Sequence, residues 1–284
     1  MTVATRLARA GSVAAAAGVV WGSIEARSLR QRVMEIRLAG LPTVLDGVTI
    51  LHLSDVHAGY GPGLAMLERT LEWSAEQRPD LIALTGDIVT RARGIPRLQK
   101  ASAALAATAS SGAFAVLGNH DHGDANDPFA DRSSVDTLDG FALLPGAEAT
   151  FELRGRSVSI VGVDAAGFLR RRTLQEVAHA DRTADLRVLL CHFPRVFDRL
   201  EPGAFQLVLA GHMHAGQICM PAPGGRIGLS HPRARYTQGL YQREGTLMHV
   251  SPGLGTTFLP LRVPARPEAT LLVLRSPETP ASGR

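Results

Sequence analysis

The apolar residues of this chain fall in short, nearly continuous runs that stop abruptly at polar ones. Val48 to Leu53, Leu81 to Leu84 and Ala113 to Leu117 are too short for helices and show little alternation, which predicts buried strands. Between them, Leu64 to Gln77 and Leu98 to Ala109 repeat apolar residues with helical spacing. The first half therefore reads as strand, loop and helix in repetition. Further strands are predicted near Ser157 to Val163, Arg187 to Leu190 and Leu207 to Leu209, with turn-rich and extended sequence continuing through Glu268 to Leu274. The whole pattern predicts a layered α/β fold with two packed sheets.

Each apolar run delivers polar residues at its C-terminal end. Val48 to Leu53 leads into Ser54, Asp55 and His57; Leu81 to Leu84 into Gly86 and Asp87; Ala113 to Leu117 into Gly118, Asn119, His120 and Asp121. In the second half, Cys191-His192 and Gly211-His212-Met213-His214 occupy the same position after a strand. Open α/β sheets bind ligands along this edge. The set is a mixture of imidazole, carboxylate and amide donors, which suits Mn²⁺, Fe²⁺ or Zn²⁺ better than the all-oxygen preference of Mg²⁺ or Ca²⁺. It is too large for one four- to six-coordinate ion, and a central carboxylate can bridge two ions roughly 3.5–4 Å apart. Two divalent ions are therefore expected. Taken singly, each of these histidines is more often structural than ligating; it is the ordered recurrence after successive strands that gives the pattern its weight.

In that order, DVH at 55–57, GD at 86–87, GNHD at 118–121, His192 and GHMH at 211–214 resemble the motifs of calcineurin-like metallophosphoesterases. The resemblance runs from about Val48 to Val250. The context, including GHMHAGQI, Gly253-Leu254-Gly255 and Arg266-Pro267-Glu268, is similar to the bacterial membrane-associated or exported phosphoesterases, some of which act on lipid headgroups. It implies an α/β/β/α sandwich of two packed mixed sheets. It also implies Asp55, His57 and His214 on one metal, Asn119, His192 and His212 on the other, and Asp87 bridging both. His120 is then the proton donor or charge stabiliser at the leaving oxygen, with Asp121 orienting its ring. An extended segment would send His212 and His214 to the same side and Met213 away. The implied reaction is hydrolysis of a phosphate mono- or diester by in-line attack of a metal-bridging hydroxide, with a phospholipid or headgroup among the substrates. A nuclease, a cyclic-nucleotide phosphodiesterase and a non-catalytic binding module are alternatives that the same scaffold permits.

Outside this set, His52 and His249 sit in apolar runs and read as core or supporting residues, His179 and His231 as surface residues, and His122, Asp124 and Asp127 as part of a polar loop. The basic residues are nearly all arginine, Lys100 being the only lysine, and they are scattered, so the net charge of +4 reads as solvated surface rather than a nucleic-acid site. Arg170 to Arg172, and Arg226, Arg233 and Arg235 in a Gly/Pro-rich loop from Met220 to Arg235, could hold an anionic headgroup, solvated loop charge being the alternative. Phe258, Leu259 and Pro260 could line an apolar slot or simply pack on the sheet. Cys191 and Cys219 read as two separate buried thiols, a disulfide being the other reading.

The N-terminus differs from the rest. Arg6 and Arg9 precede an Ala/Gly/Val-rich run from Ala10 to Ile24 that is uncharged until Glu25. This predicts a signal-like or marginal membrane-anchor segment, hence an exported or membrane-associated protein, with an ordinary first helix as the alternative. The expected organisation is anchor and polar connector over 1–37, one catalytic domain over 38–275 and a disordered tail over 276–284.

Overall fold

The computed structural model describes residues 3–123, 127–131, 133–173, 177, 180–223, 225–230 and 232–277. His179, His231 and Asp124, and most of the expected tail, lie outside the described residues.

A long helix, α1 (Val3–Glu25), leads into β1 (Arg30–Arg37), β2 (Thr49–Leu53), α2 (Gly63–Gln77), β3 (Leu81–Thr85), α3 (Ile95–Ala106), β4 (Ala113–Val116) and the short β5 (Ala142–Leu143). The second half contributes β6 (Glu148–Leu153), β7 (Arg156–Val163), β8 (Leu186–Cys191), β9 (Leu207–Ala210), a hairpin of β10 (Cys219–Ala222) and β11 (Gly225–Gly228), then β12 (Gly239–Arg243), β13 (Thr246–Val250) and β14 (Glu268–Arg275). Two six-stranded sheets result, in the orders β1-β14-β2-β3-β4-β5 and β12-β13-β9-β8-β7-β6. Both are mixed. β2, β3, β4 and β5 run parallel, with β14 antiparallel to β2, and β7, β8, β9 and β13 run parallel, with β6 and β12 antiparallel at the edges.

Strand alternation makes the layers. Leu51 and Leu53 of β2 face α2 and α3, in a core shared with Met66, Leu67, Leu98 and Leu105. Ile50 points the other way, into the layer between the sheets, with Leu81, Phe114, Ile160, Val188, Leu207 and Leu272. His52 shares that orientation and meets His249 of β13, their Nδ1 atoms 2.7 Å apart, with His52 Nε2 3.0 Å from Thr85 Oγ1. The outer face of the second sheet is covered by Val196, Phe197, Phe205 and Tyr236. Helices on one side and a thinner covering on the other complete the layered α/β sandwich.

Both ends of the chain are tied to the fold. The polar connector ends in a strand, because β1 pairs in parallel with all of β14 from Arg30↔Glu268 to Arg37↔Arg275. As an edge strand it is exposed at most positions, with only Ile36 fully buried, so its sequence carries no apolar run. Ser276, placed in the tail, is buried: its amide donates to Asp46 Oδ1 at 2.8 Å and its hydroxyl to the Leu41 carbonyl. The C-terminal end of α1 is packed, Gly22 lying against Leu261 and Val263 and accepting from the Arg262 amide, and Glu25 accepting from the Ala265 amide at 2.5 Å. Among the described residues no helix is long and apolar enough to cross a membrane. The stretch expected to be all loop, Met220 to Arg235, begins as the β10–β11 hairpin.

Candidate metal centre

Five loops following β2, β3, β4, β8 and β9 converge where the sheets' C-terminal edges meet. Their backbones leave the strands sharply: Asp55, His57, Asp87, His212 and His214 all adopt positive φ. Such backbone is costly for residues with a Cβ and persists where surrounding contacts hold it. Here they are identifiable. The Asp55 and His57 amides donate to the Gly86 and Asp87 carbonyls, and the Asp55 carboxylate accepts from the His212 amide at 3.1 Å. A Cβ on Gly118 would lie 2.1 Å from Asp87 Oδ1, and one on Gly211 1.8 Å from Ser54 Oγ, so glycine alone permits these loops to close together.

The sequence-predicted ligands come together as two groups joined at Asp87. Asp55, His57 and His214 form one, with His214 Nε2 3.3 Å from Asp55 Oδ1 and 3.1 Å from His57 Nε2. Asp87, His192 and His212 form the other, with His192 Nε2 3.2 Å from Asp87 Oδ2 and 3.1 Å from His212 Nδ1. Asp87 Oδ2 is also 3.7 Å from His57 Nε2. Asn119 lies beside them with its Oδ1 buried and without a hydrogen-bond partner, and His120 shares a third cluster with His57 and Asp87.

These donors fit divalent cations. Imidazole nitrogens 3.1 Å apart, carboxylate oxygens 3.2–3.3 Å from them and an orphaned amide oxygen beside them converge as donor atoms that a cation between them would satisfy together. The rings are already oriented from behind: His57 Nδ1 is 2.8 Å from Thr90 Oγ1 and His192 Nδ1 is 2.9 Å from the Thr85 carbonyl, the backing that metal-binding imidazoles require. The electrostatics are equally strained. Burial pushes the Asp55 carboxyl up to about 7, with Asp87 adding to the rise and His192 opposing it. Burial works in the same direction on Asp87, but His192, His120 and His57 overcome it and hold that carboxyl well below its usual range. Burial also drives His57 and His214 well below the ordinary imidazole value.

Two expectations about mechanism of assembly are corrected. His212 and His214 reach different groups through a tight turn with left-handed residues, not by alternating along an extended segment; Met213 between them is helical. Asp121 does not orient the His120 ring. Its two oxygens accept from the Gly118, Ile88 and Val89 amides at 2.8–3.1 Å, which ties the loop after β4 to the loop after β3. The buried Nδ1 of His120 has no partner, and its ring meets His57 edge-on at 4.6 Å. Burial and the Asp87 charge raise the Asp121 carboxyl to about 6, the three amides opposing them.

Sequence reasoning missed Arg262. It is fully buried, and its guanidinium donates to the Pro252, Gly253, Gly255 and Ala265 carbonyls while Nη2 lies 3.2 Å from His214 Nδ1. No local spacing links it to the histidines, so only the folded contacts reveal it. Thr90 was also missed, for the same reason. Cys191 and Cys219 are both buried and unpaired.

The site opens into a cavity of about 310 Å³, lined by the polar Asp87, Asn119, His120 and Asp127 and by the apolar Leu169, Phe193, Met213 and Phe258, among others. Residues 48–216 match the model of the calcineurin-like phosphoesterases. The chain is 32% identical to the metallophosphoesterase YkuE of Bacillus subtilis over 251 residues, covering 85% of this chain and 84% of that one. It is 27% identical to the phosphodiesterase YaeI of Escherichia coli, covering 79% and 81%, and 25% identical to the UDP-2,3-diacylglucosamine pyrophosphatase LpxG of Chlamydia trachomatis, covering 74% and 79%. With the layered sandwich, the buried Asp/His clusters and these likenesses together, the chain belongs to the calcineurin-like phosphoesterase family and is a metal-dependent phosphoesterase.

Proposed function

We propose that this enzyme hydrolyses a phosphodiester presented at a membrane surface. The observation that carries the reading is the lining of the site, where ligands and His120 share one cavity with the apolar side chains of Leu169, Phe193, Met213 and Phe258. Met220 and Ile227 pair across the β10–β11 hairpin, and both are exposed, as are Leu229, Leu259 and the cavity-lining Phe258. A second cleft beside them is lined by Trp21, Ile24, Arg30, Arg32, Arg226 and Arg266, along with Glu25 and Glu268, which are already hydrogen-bonded to Ala265 and Thr270. Apolar side chains interleaved with arginines suit an interface with anionic lipid. On this reading α1 lies on the membrane as a surface anchor, its exposed Val19, Val20, Trp21 and Ile24 contacting lipid and its C-terminal end fixed to the enzyme. The relatives' names point the same way, one being a phosphodiesterase and another acting on a diacylated sugar nucleotide.

In this mechanism Asp55, His57 and His214 would hold one ion and Asn119, His192 and His212 the other, with Asp87 between the two groups available to both. Divalent ions bound there, Mn²⁺, Fe²⁺ or Zn²⁺ by donor type, supply charge neutralisation for the phosphoryl oxygens and a water-derived nucleophile at neutral pH. His120, buried with a free Nδ1 and lining the cavity, gives a proton to the leaving oxygen. Asp121 keeps the loops bearing Asp87, Asn119 and His120 in register, and the apolar lining excludes water from the leaving group.

A substrate panel with vesicle flotation tests this. The full chain should float with anionic vesicles and cleave a vesicle-held phosphodiester at least about tenfold faster than a soluble monoester, a cyclic nucleotide or single-stranded DNA. Preference for the nucleotides, with no flotation, would favour the nuclease or cyclic-nucleotide reading. Metal binding without hydrolysis of any ester would favour a binding module.

A further inference from the structure

Resting on the phosphoesterase reading, we propose that Asp127 selects the substrate, its free carboxylate oxygen receiving an ammonium group on one ester arm of a zwitterionic phosphodiester. Asp127 lines the same cavity as His120 and Asn119, yet it is not among the clustered ligand atoms. It is 6% exposed, and only one of its oxygens is used: Oδ1 accepts from the Phe129 amide at 2.8 Å, whereas Oδ2 is buried without a partner. A buried carboxylate oxygen with no donor costs free energy that a fold tolerates where a ligand completes the bond.

Its surroundings define the complement. Among the described residues no arginine, lysine or histidine forms an ion pair with Asp127, so an N–H donor from a ligand would meet no competing cation at Oδ2. Aromatic residues stand next to it: Phe129, two positions along, stacks on Tyr60 with ring centroids 5.4 Å apart, and the Tyr60 hydroxyl donates to the Phe258 carbonyl at the cavity wall. Burial and the Asp127 charge together raise the Tyr60 hydroxyl above its usual value, Arg91 opposing them, which places the carboxylate within electrostatic reach of that ring. Arg91 already lies over the Tyr60 ring, 5.3 Å from its centroid, so it is the carboxylate oxygen itself that would match a cationic N–H donor. The phosphoryl group would sit over Asp87 while the aminoalkyl arm extends toward Asp127.

The test compares two soluble diesters that differ in one group: glycerophosphoethanolamine, and its analogue with a propyl arm in place of the aminoethyl arm. Wild-type enzyme should favour the aminoethyl ester in kcat/KM by about tenfold or more, since a site built to accept a hydrogen bond rejects the analogue lacking the donor. In Asp127→Asn that ratio should fall to near one, and the ratio of dissociation constants for O-phosphoethanolamine and propyl phosphate should fall with it. A role in folding alone would lower both esters together and keep the ratio. A wild-type ratio near one, or a ratio retained in the variant, overturns the inference while leaving the phosphoesterase reading in place. Absence of wild-type turnover on both esters, with hydrolysis of a chromogenic phosphodiester retained, also overturns the inference alone, whereas inactivity on all three with fully loaded metal removes the phosphoesterase reading and this one with it.

Discussion

Replacing Asp87 by asparagine is expected to lower kcat for phosphodiester hydrolysis by roughly 10³-fold or more, with the fold retained. Asp87 stands between the two ligand groups, its Oδ2 lying 3.2 Å from His192 Nε2 in one and 3.7 Å from His57 Nε2 in the other. Its other oxygen accepts from the His120 amide at 2.9 Å, a bond that the asparagine carbonyl reproduces. The substitution thus removes a negative charge and a shared donor atom while keeping the loop's main structural contact. Circular dichroism and thermal unfolding of the variant, beside kcat on a diester, would check it. Adding His192→Ala should cost far less than its effect in the wild type, because residues that act as one unit are non-additive.

Arg262→Met is expected to destabilise the protein by about 3–5 kcal/mol, the range for breaking a buried charged network. Methionine fills the volume but leaves the Pro252, Gly253, Gly255 and Ala265 carbonyls without their shared donor, and each buried acceptor left open carries its own penalty. Burial lowers the guanidinium to about 10, with Asp55 and Glu25 opposing, so it remains charged at neutral pH. The damage should spread in both directions. The 252–255 loop is bound to the site through the Leu254 and Gly255 amides, which donate to the Ser54 and Asp55 carbonyls, and the Arg262 amide donates to Gly22 at the end of α1. Urea unfolding would measure the loss. Arg262→Lys should recover only part of it, because one ammonium cannot reach the acceptors that a planar fork spans. A loss under about 1 kcal/mol for the methionine variant would mean the loop holds itself without the guanidinium.

This connection also decides what to assay. Since Gly22 and Glu25 pack on the segment carrying Arg262, and Arg262 reaches His214, removing α1 would disturb the site, and the whole chain is the right reagent.

Much of the site was legible because it is built from local sequence. A parallel strand buried on both faces must be a continuous apolar run, and whatever follows it emerges at one rim; Asp55, Asp87, Asn119, His192 and His212 could be found from that rule alone. Where local signal fails, the reading failed. β1 has no apolar run because it is an edge strand, and its partner lies more than 230 residues away in β14. The turn at His212 to His214 looked extended because its left-handed residues are held by Asp55, a contact across 157 residues. Asp121 seemed a natural partner for the ring beside it, but buried backbone amides compete for the same oxygens and win. Asp127 passed as loop polarity, because burial, not residue type, distinguishes it.

Whether two metal ions per chain drive hydrolysis can be measured in one titration. Metal-free full-length protein would be given Mn²⁺ or Zn²⁺ in steps while bound metal and hydrolysis of a chromogenic phosphodiester are measured together. The expected result is no turnover without metal, activity that saturates at about two ions per chain, and loss on chelation. Equal hydrolysis by the metal-free protein, or saturation without bound metal, would contradict it.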